Sequence, residues 1–143
     1  MDQTDYKILD ELQKSGRISM KDLGKKVALT SPAVTERVKK LEDAGIISGY
    51  SAIIDPKKLN KHVQAIINVD LQVHNHKKFI ELAKKEPSII ECHHLTGEDC
   101  MQIKVIVSNT EELEELLSRI QSIGSTKTTI ILSTPLKNKP ILP

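Results

Sequence analysis

Two hydrophobic rhythms divide the chain. Up to Gly45 the apolar residues recur at helical spacing. Tyr6, Ile8, Leu9 and Leu12 fall on one side of a first helix; Asp2 and Asp5 open it as a capping box and Gly16 ends it. Ser19 with Asp22 opens a second helix, on which Leu23 and Val27 lie four apart. Ala28-Leu29-Thr30 is a short connection. Ser31 is the expected N-cap of a third helix, Pro32 takes its first position, and Val34, Val38 and Leu41 repeat at i, i+4 and i+7. Gly45 supplies a left-handed C-terminal cap. Three short helices of this kind bury one small core between them.

From Ile46 to Asp55 the pattern is β-like, and Asp55-Pro56 stops it. A linker, Lys57 to Lys61, follows. From Val63 to Val73 apolar residues alternate with Gln64, Asn68, Asp70 and Gln72, a strand signal. Asn75 is the expected cap of a helix carrying Phe79, Leu82 and Ala83. A second strand is expected over Ser88–Thr96, a third through Met101, Ile103, Val105 and Val107, and a fourth over Thr126–Thr134. Between the last two, a helix opening at Thr110 places Leu113, Leu116, Leu117, Ile120 and Ile123 on one face. The order βαββαβ is the ferredoxin-like arrangement, so the fold class is α+β.

Composition bounds the core and the partners. At 38% apolar and 28% charged the chain is globular, and at 2% aromatic its core is built from aliphatic side chains. The net charge of +2 is unevenly placed: eight bases stand against two acids between Lys14 and Lys40, and nine bases against ten acids from His62 onward. A basic patch at one end points to a polyanion there. With Val34, Val38 and Leu41 turned inward, Thr35, Glu36, Lys39 and Lys40 face out on a helix of ~20 Å, long enough to lie in a major groove. Ser31, Pro32 and Thr35 bring hydroxyls and free backbone N–H groups to its N-terminal turn. Arg37, Lys39 and Lys40, with Arg17 and Lys21 from the preceding segment, suit phosphate contact, and Arg37 could also read a guanine. Solvated charge on a small bundle is the competing reading of a basic helix taken alone. The helix-turn-helix spacing decides for double-stranded DNA.

No phosphate loop, HExxH or CxxC pair is present, and no nucleophile with a recognisable base, so no enzyme is expected. The polar start Met1-Asp2-Gln3 is not a signal peptide, two cysteines make no disulfide framework, and a cytoplasmic, nucleoid-associated protein is expected. Cys92, His94 and Cys100 are the one cluster with metal-ligand chemistry. A buried cysteine with strand-surface histidines is the alternative reading, and neither a metal nor another cofactor is expected. Both helices of a βαββαβ unit cover one face of its sheet. The other carries Gln64, Ile66, Asn68 and Asp70 with Ile106 and Ile131, which a second copy would cover.

Several of these segments together resemble the Lrp/AsnC, or feast/famine, family of transcription regulators over essentially the whole chain. They are Asp2 to Leu12, Gly16-Arg17-Ile18, Leu23-Gly24, Ser31-Pro32-Ala33-Val34-Thr35-Glu36-Arg37-Val38, Leu41-Glu42, Gly45-Ile46-Ile47, Gly49-Tyr50-Ser51-Ala52 and Asp55-Pro56. The resemblance implies a winged helix-turn-helix of three helices plus a hinge strand and linker over residues 1–61. It implies a ferredoxin-like (RAM-type) oligomerisation and effector domain over residues 62–143. It further implies dimers that assemble, commonly to octamers that wrap or bend DNA, and an amino-acid effector near the loop joining the second and third strands. Here that loop comprises Thr96, Gly97, Glu98, Asp99 and Cys100, and it departs from the family's Gly-x-x-Asp in placing Cys100 at the carboxylate position. The linker departs too, with Asn60 where many relatives carry glycine. The function expected is therefore a homo-oligomeric DNA-binding regulator, modulated by an amino acid. Effector-independent architectural DNA binding and metal-responsive repression stand as alternatives.

Overall fold

A computed structural model describes residues 1–141. The chain forms two compact units: Met1–Ile53 together with the C-terminal stretch from Leu136, and Ile54–Pro135. The linker Lys57–Lys61 thus belongs to the second unit, where Pro56–Leu59 is a short 3-10 turn ended by Asn60 at φ 56°.

The first unit holds α1 (Gln3–Lys14), α2 (Met20–Lys26) and α3 (Ser31–Asp43). Asp2 caps α1: its carboxylate accepts from the Thr4 and Asp5 N–H groups, and Asp5 returns a bond to the Asp2 N–H. Ser19 caps α2, accepting from the Asp22 N–H while its hydroxyl donates to the Asp22 carboxylate. The cap of α3 is Thr30, whose Oγ1 accepts from the Ala33 N–H at 3.4 Å; Ser31 is the first helical residue instead of the cap. The chain reaches Thr30 through Ala28 at φ 57°, which shortens the turn by one residue relative to the sequence expectation. Ile8, Leu12, Leu23, Val27, Val34, Val38 and Leu41 form the buried core, the positions picked out by helical period. Gly24 of α2 is also buried, and a Cβ there would stand 2.7 Å from the Leu29 carbonyl oxygen. The turn between the two helices therefore rests directly on the α2 backbone. Gly45 ends α3 at φ 68°, and the Ile46 and Ile47 N–H groups both return to the Leu41 carbonyl.

The expected hinge strand is not formed. Ile46 to Asp55 pairs with no other strand among the described residues, although Ile53 and Ile54 are exposed. An extended segment becomes a strand only where a neighbour accepts its ladder, and the single chain supplies none. Tyr50 folds back instead: its hydroxyl donates to Glu42 at 2.8 Å.

The second unit is the βαββαβ fold. Strands β1 (Val63–Asp70), β2 (Ile89–His94), β3 (Met101–Val107) and β4 (Ser125–Ile130) form one antiparallel sheet in the order β2-β3-β1-β4, with α4 (His76–Lys85) and α5 (Thr110–Gln121) packed on it. β1, β2 and β4 are shorter than expected. β1 stops at Asp70 because β3 begins opposite Val69 and β4 opposite Asp70. A bulge between Ile89 and Glu91 leaves Ile90 half-exposed. Ala65, Ile67, Val69, Phe79, Ile103, Val105, Val107, Leu116 and Ile120 are fully buried in the core between sheet and helices. Two caps differ from expectation: Asn75 uses its amide on the Ile123 carbonyl at 2.9 Å instead of capping α4, and Asn109, not Thr110, caps α5.

Candidate nucleic-acid interface

The outward face of α3 is set by what its inward face must bury. Val34 and Val38 at or below 5% exposure fix the rotation, which leaves Ser31, Pro32, Thr35, Glu36, Lys39 and Lys40 exposed. Helix 3.6-residue geometry places Thr35 and Lys39 in one row along that face. The Thr35 hydroxyl donates to the Ser31 carbonyl at 2.7 Å, so its oxygen lone pairs stay free. Lys40 pairs with Glu36 at 2.8 Å, and this bond holds the Glu36 carboxyl below the usual glutamate range. Both groups are exposed, so the pair is weak enough for a phosphate to displace. Lys39, Arg17 and Lys21 are exposed and form no ion pair among the described residues.

Arg37 is different. Its guanidinium donates to the carboxylates of Asp2 and Asp5, 2.8 Å to each, from the middle of α3 to the start of α1. The Asp5 N–H and then Arg37 hold the Asp2 carboxyl below its usual value. The sequence expectation of a phosphate or guanine contact is replaced by a brace between the recognition helix and the helix behind it. Lys26 likewise pairs with Glu11, tying α2 to α1. The sequence marked neither partner, because the pairs lie 32 and 15 residues apart. A further link was equally hidden: the Gln13 amide donates to the Ile141 carbonyl at 3.0 Å and accepts from its N–H at 2.8 Å, fastening the C-terminal stretch to α1.

In the second unit the loop Thr96–Cys100 is organised by a polar network on the outer sheet face. Lys127 donates to Asp99 at 3.0 Å, and Asn68 joins Asp99 to Gln102. Glu98 is exposed. Cys100 is half-buried with its Sγ 3.7 Å from both the Val69 and Leu71 carbonyl oxygens. Cys92 and His94 share the helix-facing side of β2, where the His94 and His76 rings stack edge to face with centroids 5.5 Å apart. Cys100 points instead at carbonyls of β1 and the turn after it. No three His, Cys, Asp or Glu side chains among the described residues come together as a metal site, so the metal-responsive alternative loses its ligand set.

Two family models match the chain: winged helix-turn-helix DNA-binding over residues 1–48, and the Lrp/AsnC ligand binding domain over residues 64–141. The HTH-type transcriptional regulator YezC of Bacillus subtilis is 41% identical, covering 94% of this chain and 95% of its own. The structure of B. subtilis LrpC superposes with a TM-score of 0.91 at 33% identity, covering 97% of this chain and 99% of that one. A transcriptional regulator from Neisseria meningitidis, NMB0573, solved as a complex with L-Met, superposes at 0.93 with 28% identity, covering 99% and 96%. These matches run through both units, and their members regulate transcription and are not enzymes. With a helix-turn-helix at one end and the ligand-binding fold at the other, the chain belongs to the Lrp/AsnC family of DNA-binding transcription regulators.

Proposed function

We propose that the protein works on the nucleoid as a homo-oligomer, setting pairs of α3 helices into successive major grooves. The observation that carries this reading is the exposed row of Ser31, Thr35 and Lys39 on α3, with Arg17 and Lys21 as further unpaired cations in the same unit. Lys39, Arg17, Lys21 and, after release from Glu36, Lys40 contact phosphates. Ser31, Pro32 and Thr35 meet base edges or the backbone at the helix N-terminus. Arg37 acts on DNA indirectly, by holding the helix that carries these groups.

The outer sheet face supports dimerisation. Ile66, Ile106 and Ile131 stand there half-buried beside the Asn68, Gln102 and Asp99 network, too apolar to be left wet and too polar for a monomer core. A two-fold partner covers such a face and pairs two recognition helices. Dimers assemble further, to an octamer, and DNA wrapped on it is selected partly by its deformability. Amino-acid control in the usual manner is disfavoured by Cys100. A neutral thiol replaces the anion an ammonium needs, and Asp99 is already neutralised by Lys127.

A gel-shift titration of the full chain against operator-length duplex, repeated over a salt series, tests the docking. Loss of affinity on Lys39→Ala supports it; unchanged affinity overturns it.

A further inference from the structure

The two helices that cover the sheet carry opposite charge. α4 has four lysines against one glutamate, and α5 four glutamates against one arginine. Part of this is neutralised within the unit. Lys84 pairs with Glu81, Arg119 with Glu86 at 2.7 Å, and Glu112 with Lys61. What remains is complementary: Lys77, Lys78 and Lys85 on α4, and Glu111, Glu114 and Glu115 on α5, are exposed and unpaired among the described residues.

The α4 charges are placed at a cost. Lys77 and Lys78 sit in the first turn, where the helix dipole disfavours cations, and no acid accompanies them. The Asn75 side chain, which could have capped that end, is used on Ile123. An acidic neighbour would offset this. Beside α4 an apolar groove of about 370 Å³ runs along the edge strand β2, lined by Ile80, Ala83, Ile89, Ile90 and Met101. At the opposite edge, α5 packs beside β4, whose Ile130 is 46% exposed. One edge of the unit is thus basic with an apolar groove, and the other is acidic with an apolar projection.

We propose that these edges join copies head to tail, the α4–β2 edge of one meeting the α5–β4 edge of the next. Such a heterologous contact closes into a ring or runs on as a filament. It uses the edges and helix layer, leaving the outer sheet face for the two-fold dimer, and it rests on the reading that the protein assembles beyond a dimer. The charges give register and specificity, and Ile80, Ile90 and Ile130 supply the apolar area that exposed ion pairs lack. DNA is the other polyanion that α4 could meet. The acidic α5 in the same layer repels it and favours a second copy.

Two charge-reversed full-length proteins test this: K77E/K78E/K85E, acidic at both edges, and E111K/E114K/E115K, basic at both. Mass is read by light scattering at about 0.1 M and about 1 M salt, where screening lengths are ~10 and ~3 Å. The wild type is expected above dimer mass at low salt and to lose mass at high salt. Each variant alone is expected as a dimer with an unchanged circular dichroism spectrum, and an equal mixture to recover the wild-type mass. Recovery also shows that neither variant has lost its fold. Either variant alone keeping the wild-type mass, or a mixture that stays dimeric, overturns the proposal while assembly by another route stands. A wild type that is only dimeric at low salt overturns the assembly reading itself. A K77E/K78E/K85E protein of wild-type mass that binds long duplex more weakly assigns α4 to DNA and overturns the contact between copies.

Discussion

The Arg37 guanidinium on the recognition helix lies 2.8 Å from the Asp5 carboxylate on α1, and Asp5 is the less exposed of its two acidic partners. A base in the middle of α3 is therefore committed inside its own unit, whereas Lys39 two residues on is free. The two should respond differently to salt. Lys39→Ala should weaken binding and lower the slope of log affinity against log salt by about 1, as loss of one phosphate contact does. Arg37→Ala should weaken binding with the slope unchanged, because it loosens the helix and removes no phosphate contact. A slope lowered equally by both would place Arg37 on the DNA.

Gly24 tests the turn. A methyl group at this position meets the Leu29 carbonyl oxygen at 2.7 Å, and a backbone atom cannot rotate away. Gly24→Ala should destabilise the first unit by about 1–3 kcal/mol, the usual cost of overpacking, even though alanine is the better helix former. Thermal unfolding of the full chain measures it. An unchanged or raised midpoint would show that the turn does not rest on α2.

The contrast between these residues and the core marks what could be read from the sequence. Ile8, Leu23, Val34, Val38 and Leu41 declared themselves because local periodicity is written in consecutive residues. The βαββαβ order was legible for the same reason. Arg37 was not, since its chemistry suits a phosphate and a carboxylate alike, and Asp2 and Asp5 are far away in the chain. Nor was the state of Ile46 to Asp55, because strand propensity does not reveal whether a ladder partner exists. The Thr30 cap was displaced by one residue through the left-handed Ala28, a conformation that sequence seldom signals for alanine.

Glu112 should make the second unit acid-sensitive. Its carboxylate accepts from the Ser108 N–H and pairs with Lys61, and these hold its pKa at about 2, below the ordinary 4.5. A depressed folded value means that the stabilisation is present above pH 4.5 and is lost as pH falls from there towards 2. Glu112→Gln should unfold at a lower temperature near neutrality and show a shallower decline across that window. Parallel declines for the two proteins would remove Glu112 from the account.

Tyr50 should act at the opposite end of the scale. Partial burial, then its bond to Glu42, raises the phenol to about 12 from 10.0. The protonated form is favoured in the folded state, so this contribution is present below pH 10 and is lost as pH rises from there to about 12. Tyr50→Phe should be less stable than the wild type at neutral pH, by no more than about 1 kcal/mol for so exposed a hydrogen bond. The gap should close in alkali. A gap independent of pH would mean that packing of the ring, and not the hydroxyl, fixes the segment after Gly49.

Cys100 offers a gain-of-function test. Its thiol faces the carbonyl oxygens of Val69 and Leu71, and an aspartate there would set an anion beside two acceptors. Without a ligand, Cys100→Asp should lower the melting temperature by repulsion among these oxygens. An ammonium between them would convert the repulsion into attraction. An amino acid at ~100 times its dissociation constant should then restore about 2.7 kcal/mol by mass action. The wild type, lacking the anion, should give no such shift with the same panel. Stabilisation of the wild type by any amino acid would mean that Asp99 exchanges Lys127 for the ligand, and that the thiol is no obstacle to control by the family's usual class of effector.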